Sequence, residues 1–310
     1  MATARFSPAT KRGKRLGGGM ACALAATVGL LTTGCSASLA DGTADVAATP
    51  PAIADKPTAP VTGYDGLIGL PLSAYGTSEQ DDVLLYETNE ALVARCMKSR
   101  GYTSYSDQAK SKTSAKTKKP RKTKAKREAI RPAGAWGYIG GATAKQKGFH
   151  VAVPIPVPKG PTGKELKDYN ACWEKADKQV PSLSGKKGWK LTQDLFGQSF
   201  QKAAADSRVR TAREIWSTCM SESGHSASDP EKLANGFLGA KKTTTKEIAA
   251  ATAAESCTRT SNLAGIYFAV LTGYQQQLIS ANLEVLTGYK KQVQEQVDRA
   301  ARLLAASDTA

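Results

Sequence analysis

The chain has little of what enzyme chemistry usually draws on. Only two of its 310 residues are histidine, His150 and His225, and aromatic residues make up 6%. No HExxH, GxSxG or Walker-type loop occurs, and no carboxylate pair falls into a recognisable acid–base pattern. These absences argue against the common metalloprotease, serine hydrolase and nucleotide-hydrolase designs. They predict a chain that is not an enzyme and uses no cofactor. An envelope hydrolase or other enzyme with a site not recognisable from sequence is the alternative. CxxC and HxxxH are missing too, which argues against a zinc site. Long hydrophobic runs are absent: the stretch from Met20 to Leu31 is about 12 residues, against the roughly 20 that a membrane-spanning helix requires.

What is present begins at the N-terminus. The first 34 residues contain no acid and hold Arg5, Lys11, Arg12, Lys14 and Arg15 ahead of the apolar stretch. A basic region followed by a short apolar one has the layout of a secretory signal peptide, here residues 1–34. Leu31-Thr32-Thr33-Gly34-Cys35 then resembles a bacterial lipobox, departing from it in that Thr32 takes the usual leucine position. The thiol of Cys35 is the nucleophile for diacylglycerol transfer, and Gly34 lets a peptidase approach the backbone. Cleavage would leave Cys35 as the first residue, carrying two or more acyl chains such as palmitate. At about 0.8 kcal/mol per buried methylene, two chains anchor stably where one does not. This places the chain at the outer face of the cytoplasmic membrane. Cleavage after Ala40, at Ser38-Leu39-Ala40, would instead make it a secreted protein, and an uncleaved anchor is a third reading. Cys22 is a poor rival to Cys35, because it precedes most of the apolar run.

Charge is concentrated. The formal net charge is +16, and the five basic residues before Cys35 reduce the mature chain to +11. Eleven basic residues, Lys110, Lys112, Lys116, Lys118, Lys119, Arg121, Lys122, Lys124, Lys126, Arg127 and Arg131, face one acid, Glu128, across positions 110–131. That run carries +10, so the rest of the mature chain is near neutral. A uniformly basic nucleic-acid-binding surface is not what these numbers describe. No aromatic residue is interleaved before Trp136, so base-stacking platforms are missing as well, and no nucleic-acid partner is expected. Outside a membrane the run suits anionic lipid headgroups or phosphate-rich wall polymer. A solvated insertion without a ligand is the bland alternative.

Residues 35–63, rich in Ala, Thr, Pro and Asp with no apolar period, read as a disordered tether. Beyond them the chain reads as mainly α, in two units at 64–204 and 205–310. Ala94-Arg95-Cys96-Met97-Lys98-Ser99-Arg100-Gly101-Tyr102 and Ser217-Thr218-Cys219-Met220-Ser221-Glu222-Ser223-Gly224-His225 share the pattern C-M-x-x-x-G-aromatic. Each closes a helical period, with the glycine where a left-handed C-cap residue is wanted. Thr77–Gln80, Thr162–Glu165 and Thr244–Glu247 offer helix starts. Four cysteines remain in the exported part, an even number that reads as two disulfides. The matching layout favours Cys96–Cys172 and Cys219–Cys257 among three pairings, each tying two antiparallel helices. A redox-active thiol pair is the weaker reading. His225 fills the slot of Tyr102, which explains it by packing, and His150 sits between Phe149 and a Val/Pro stretch that reads as extended.

No proline occurs from Thr244 to Ala306, and apolar residues keep helical spacing from Leu263 through Tyr267, Tyr274, Leu286 and Tyr289 to Val297. This reads as one long C-terminal helix or two broken ones. Its apolar stripe reads as internal packing before it reads as a partner-helix surface. Leu271-Thr272-Gly273-Tyr274 recurs as Leu286-Thr287-Gly288-Tyr289, where the glycines admit a neighbouring helix or mark bends.

The paired C-M-x-x-x-G motifs, Trp216 three places before Cys219, the Ala-rich approach to Cys257, and Tyr267-Phe268 and Tyr274-Gln275 resemble uncharacterised exported lipoproteins of high-GC actinobacteria. Trp136-Gly137-Tyr138 and Gly148-Phe149-His150 fit the same group. The resemblance spans about Leu70 to Leu304 and departs most in the lysine run. It implies an envelope location and disulfide-stapled helices and brings no activity with it. Anchor, tether and stapled helices together describe a non-catalytic binding or scaffold component that touches an envelope protein, a wall polymer or the membrane.

Overall fold

The computed structural model describes residues 48–105, 139–149, 160–238 and 242–308. Cys35, the basic residues from Lys110 to Arg131, Trp136 to Tyr138 and His150 lie outside the described residues. Among those described, every regular element is helical: α1 (Gly63–Ile68), a 3-10 helix (Pro71–Tyr75), α2 (Glu79–Ser99), α3 (Gly141–Lys147), α4 (Gly163–Gln179), α5 (Lys187–Ala205), α6 (Ser207–Glu222), α7 (Pro230–Leu238), α8 (Thr245–Thr260), α9 (Leu263–Ala281) and α10 (Leu283–Asp308). None of these helices is long and apolar enough to cross a membrane.

Both stapled helix pairs form. Cys96 of α2 joins Cys172 of α4, and Cys219 of α6 joins Cys257 of α8, each with Cα atoms 5.6 Å apart. The C-M-x-x-x-G pattern has one physical meaning at both places. At the end of α2, Gly101 (φ +93°) donates to the Lys98 carbonyl and Tyr102 to the Met97 carbonyl, at 2.9 and 3.1 Å. At the end of α6, Gly224 (φ +76°) donates to Ser221 and His225 to Met220, at 3.0 and 2.9 Å. Both are Schellman caps, so methionine occupies the third-from-last helical position and is fully buried, while cysteine lies one residue earlier. The start of α2 falls one residue later than the sequence predicts. Ser78, not Thr77, is the N-cap, and it exchanges hydrogen bonds with Asp81 in a capping box. Thr244 caps α8 as expected, accepting from the Glu247 N–H at 3.2 Å.

The central helix is α9, whose N-terminal half is almost wholly apolar and buried, while Gln276 and Ser280 near its C-terminal end are exposed. It packs on α5, α6, α8, α10 and the 3-10 helix. Tyr267, Val270, Leu271, Tyr274 and Leu278 are all buried, and Leu286, Tyr289, Val293 and Val297 of α10 continue the stripe into the interior. The stripe is therefore internal packing. Its one buried amide, Gln275, is bonded through both its oxygen and its nitrogen. It accepts from the Leu72 N–H at 3.0 Å and donates to Ser199 Oγ at 3.1 Å, joining the 3-10 helix and α5 to α9. The C-terminal region is broken twice, at Asn262, which takes a left-handed conformation (φ +50°), and at Asn282. Neither break falls on a glycine of the L-T-G-Y repeat.

Two expectations need correction. The tether does not extend to residue 63, because residues 48–57 lie along α9 as a strap and Thr62 caps α1. Thr49 exchanges two hydrogen bonds with the Gln277 amide, at 3.1 and 3.0 Å. Pro51 is buried over Gly273, where a Cβ would come within 2.3 Å of the proline ring, and its carbonyl accepts from Arg208 Nη1 at 2.8 Å. The Pro57 carbonyl accepts from Asn262 Nδ2 at 3.0 Å. Gly273 thus admits the strap, not a helix, and the space beside Gly288 is open. The boundary at residue 204 also separates nothing. Thr43–Ala310 is one compact unit, in which α5 packs along α9 and α10 along α2 across the expected division.

Candidate functional site

Helix α8 is the most unusual element chemically. Its sequence from Glu247 to Cys257 is alanine-rich, so neighbours approach its backbone closely, yet it buries two carboxylates eight residues apart. Glu247 is fully buried and Glu255 is 3% exposed. Both are turned onto the backbone of the short segment that carries α3. Glu255 Oε1 accepts from the N–H groups of Ile139 and Gly140, at 2.9 and 3.0 Å. Glu247 Oε1 accepts from the N–H of Phe149 at 2.7 Å. One carboxylate therefore holds the entry to α3 and the other its exit.

The glycines of this segment follow from the clip. A Cβ on Gly148 would lie 2.6 Å from Glu247 Oε1, and the residue has φ +59° with ψ −136°, a region that side-chain-bearing residues avoid. Phe149 then drops into the core against Phe237, their rings stacked 5.6 Å apart. Trp216 completes that core, donating from Nε1 to the Ala254 carbonyl and to Thr258 Oγ1, at 3.3 and 3.2 Å. Burial pushes the Glu255 carboxyl above its ordinary range. The two backbone N–H groups and the positive charge of Arg259 oppose that rise without cancelling it. Its second oxygen is buried without a hydrogen-bond partner among the described residues.

One turn beyond Glu255, Arg259 reaches out of this interface. With Gly141, Ala142, Lys145 and Gln146 of α3 it lines a cleft of about 500 Å³ between α3 and α8. Lys145, Arg259 and Gln146 are its polar lining residues, and no acid among the described residues lines it.

The end of the first stapled pair is built from similar residue types, used differently. Tyr102 donates to Asp168 Oδ2 at 2.8 Å, Arg100 pairs with the other oxygen of Asp168, and Tyr105 donates to Glu165 Oε1 at 2.9 Å. All lie at the surface or half-buried. The hydrogen bond from Tyr102, with Arg100 behind it, holds the Asp168 carboxyl below the usual range. Desolvation and the bond to Glu165 push the Tyr105 hydroxyl up to about 12. Tyr105, Tyr169 and Trp173 follow one another at centroid spacings of 6.2 and 6.3 Å.

The sequence-predicted site residues are distributed as follows. Cys96, Cys172, Cys219 and Cys257 are paired as expected, and His225 is the half-buried cap residue of α6. Cys35, all eleven basic residues of the lysine run and His150 lie outside the described residues. No group of three or more His, Cys, Asp or Glu among the described residues is placed to hold a metal ion. Sequence reasoning missed Glu247, Glu255, Lys145 and Arg259. A signal was available in two acids set into an alanine-rich helix at eight-residue spacing, and in the glycines bracketing Ala142–Lys147. Neither pattern announces a partner 100 residues away. Comparison with protein-family models, curated proteins and solved structures gives no match to this chain.

Proposed function

We propose that the chain is an exported lipoprotein, anchored through Cys35 to the outer face of the cytoplasmic membrane, and that it serves there as a non-catalytic binding or scaffold component. The observation that carries the reading is the pair of disulfides. All four cysteines beyond the lipobox-like site are consumed in two bonds between packed helices, an arrangement that persists in oxidising compartments and not in a reducing cytosol. The basic N-terminus, the short apolar stretch and Gly34-Cys35 support the same destination from the sequence. Docking of the strap shortens the free link: thirteen peptide steps separate Cys35 from Ala48, about 45 Å at full extension. The run from Lys110 to Arg131 adds attraction to anionic headgroups or phosphate-rich wall polymer, at about 1 kcal/mol per basic side chain near such a surface. The test is acyl labelling and fractionation. The native chain should incorporate labelled palmitate and follow the membrane, whereas Cys35→Ala should lose the label and leave the membrane or accumulate as precursor. A mutant that keeps both label and membrane location would refute the anchor.

A further inference from the structure

We propose that the cleft between α3 and α8 binds a phosphate group, held between the Arg259 guanidinium on one wall and the Lys145 ammonium on the other, with the Gln146 amide beside them. The cleft, of about 500 Å³, is the size of a small-molecule site and has room for a phosphoester as small as glycerol phosphate. Among the described residues that line it, the polar side chains are Arg259, Lys145 and Gln146, all three exposed, so a charged group held there would be an anion. A planar guanidinium fork facing a point charge suits an oxyanion with several acceptor oxygens, and phosphate supplies them.

The walls are fixed before any ligand arrives. Glu255 and Glu247 pin both ends of the α3 segment to α8 through three backbone N–H groups. The two cations therefore stand on elements that are clipped together, and little ordering remains to be done on binding. Gly141 has a specific part in this. A Cβ there would lie 3.0 Å from Arg259 Nη1, so the guanidinium rests against the bare backbone of Gly141 and would have to shift to make room. Glu255, one turn from Arg259, accepts from the Ile139 and Gly140 N–H groups through Oε1 and does not line the cleft.

A phosphate group could come from a soluble phosphoester or from a lipid headgroup, and the two sources separate in the test. The native chain, with both disulfides formed, is titrated with inorganic phosphate and with glycerol 3-phosphate by calorimetry, and with phosphatidylglycerol vesicles by flotation. Saturable binding of the soluble anions is expected. Arg259→Gln and Lys145→Gln should each raise the dissociation constant about tenfold, and Gly141→Ala several-fold with no change of charge. Lys291→Gln, a cation on the exposed face of α10, should change nothing. Binding of soluble anions identifies a phosphoester site, and binding of vesicles alone, if still lost in Arg259→Gln, identifies a headgroup site. The proposal fails if no probe binds saturably, or if Arg259→Gln and Lys145→Gln bind as the native chain does. It rests on the proposed function only for the origin of the phosphate. Deleting residues 110–131 tests that reading separately, since it should remove salt-sensitive vesicle attraction while leaving the soluble anions bound at the cleft.

Discussion

The two stapled pairs share a cap and differ in what their carboxylates do. Where α2 meets α4, Asp168 and Glu165 face tyrosine hydroxyls and an arginine at the surface. Where α6 meets α8, Glu247 and Glu255 are buried and face backbone N–H groups of a distant segment. The repeated C-M-x-x-x-G pattern therefore specifies a way to end a helix and place a cysteine, and nothing more. Surface pairs of the first kind contribute little to stability because solvent screens them. A buried carboxylate of the second kind satisfies donors that would otherwise be orphaned, and losing it leaves them so. The first pair is fastened by its disulfide and its own apolar core, and the second also organises an insert.

Removing the staples should have the largest effect and should treat the two pairs alike. The bonds close loops of 76 and 38 residues, worth about 4 kcal/mol each through loss of unfolded-state entropy. Cys96→Ala/Cys172→Ala and Cys219→Ala/Cys257→Ala should each lower unfolding free energy by roughly that amount in urea titrations. On the same model the first double variant should lose more by about 0.6 kcal/mol, because its loop is twice as long. A second pair that loses much more than the first would show that its bond also supports the clip on α3.

Glycine substitutions separate the shared cap from the clip. Gly101→Ala and Gly224→Ala place a methyl group in open space at positive φ, so each should cost about 1–2 kcal/mol, the ordinary left-handed penalty. Gly148→Ala must bear comparable strain and also displace the buried Glu247 carboxylate. A cost of about 3 kcal/mol or more is expected, with the amide protons of Ile139 to Phe149 exchanging faster. Equal costs at Gly148 and Gly224 would mean that the clip contributes nothing beyond backbone conformation.

That contrast also explains what was legible in the sequence. The helices, both caps, the disulfide pairing and the buried stripe of α9 and α10 are local or periodic features, and they can be read from residues a few positions apart. The strap could not be read in this way. Its Ala, Thr and Pro composition is that of a linker, and what holds it are Gly273, Gln277, Asn262 and Arg208, 150 to 230 residues away. The α3 segment was hidden for the same reason, since Glu247 and Glu255 look like solvent-facing acids until the bare glycine backbone that approaches them is known. Two asparagines break the region where glycines were the expected breakers: Asn262 adopts positive φ while donating its side chain to the Pro57 carbonyl, and Asn282 donates its own to the Leu278 carbonyl at 2.9 Å.

The smallest effect expected, and the one that separates the pairs most cleanly, is in their pH dependence. Asp168 titrates below its ordinary value in the folded chain because Tyr102 donates to it and Arg100 stands beside it. Its contribution is present above about 3.8, the unfolded value, and is lost as pH falls through the lower folded value. Glu255 titrates above its ordinary value because burial outweighs its two N–H bonds and Arg259. The folded chain holds that proton more tightly than the unfolded one. The associated stability is complete below about 4.5 and declines as pH rises through the folded value. The two carboxylates therefore contribute opposite slopes in adjacent windows. Asp168→Asn should flatten the acid limb of a stability–pH curve measured by urea unfolding. Glu255→Gln, which keeps an acceptor for Ile139 and Gly140 without the charge, should flatten the decline above 4.5 and leave the acid limb unchanged. If Glu255→Gln instead leaves that decline unchanged and flattens the acid limb, the carboxylate in the α3 clip is held by its hydrogen bonds more strongly than burial opposes it.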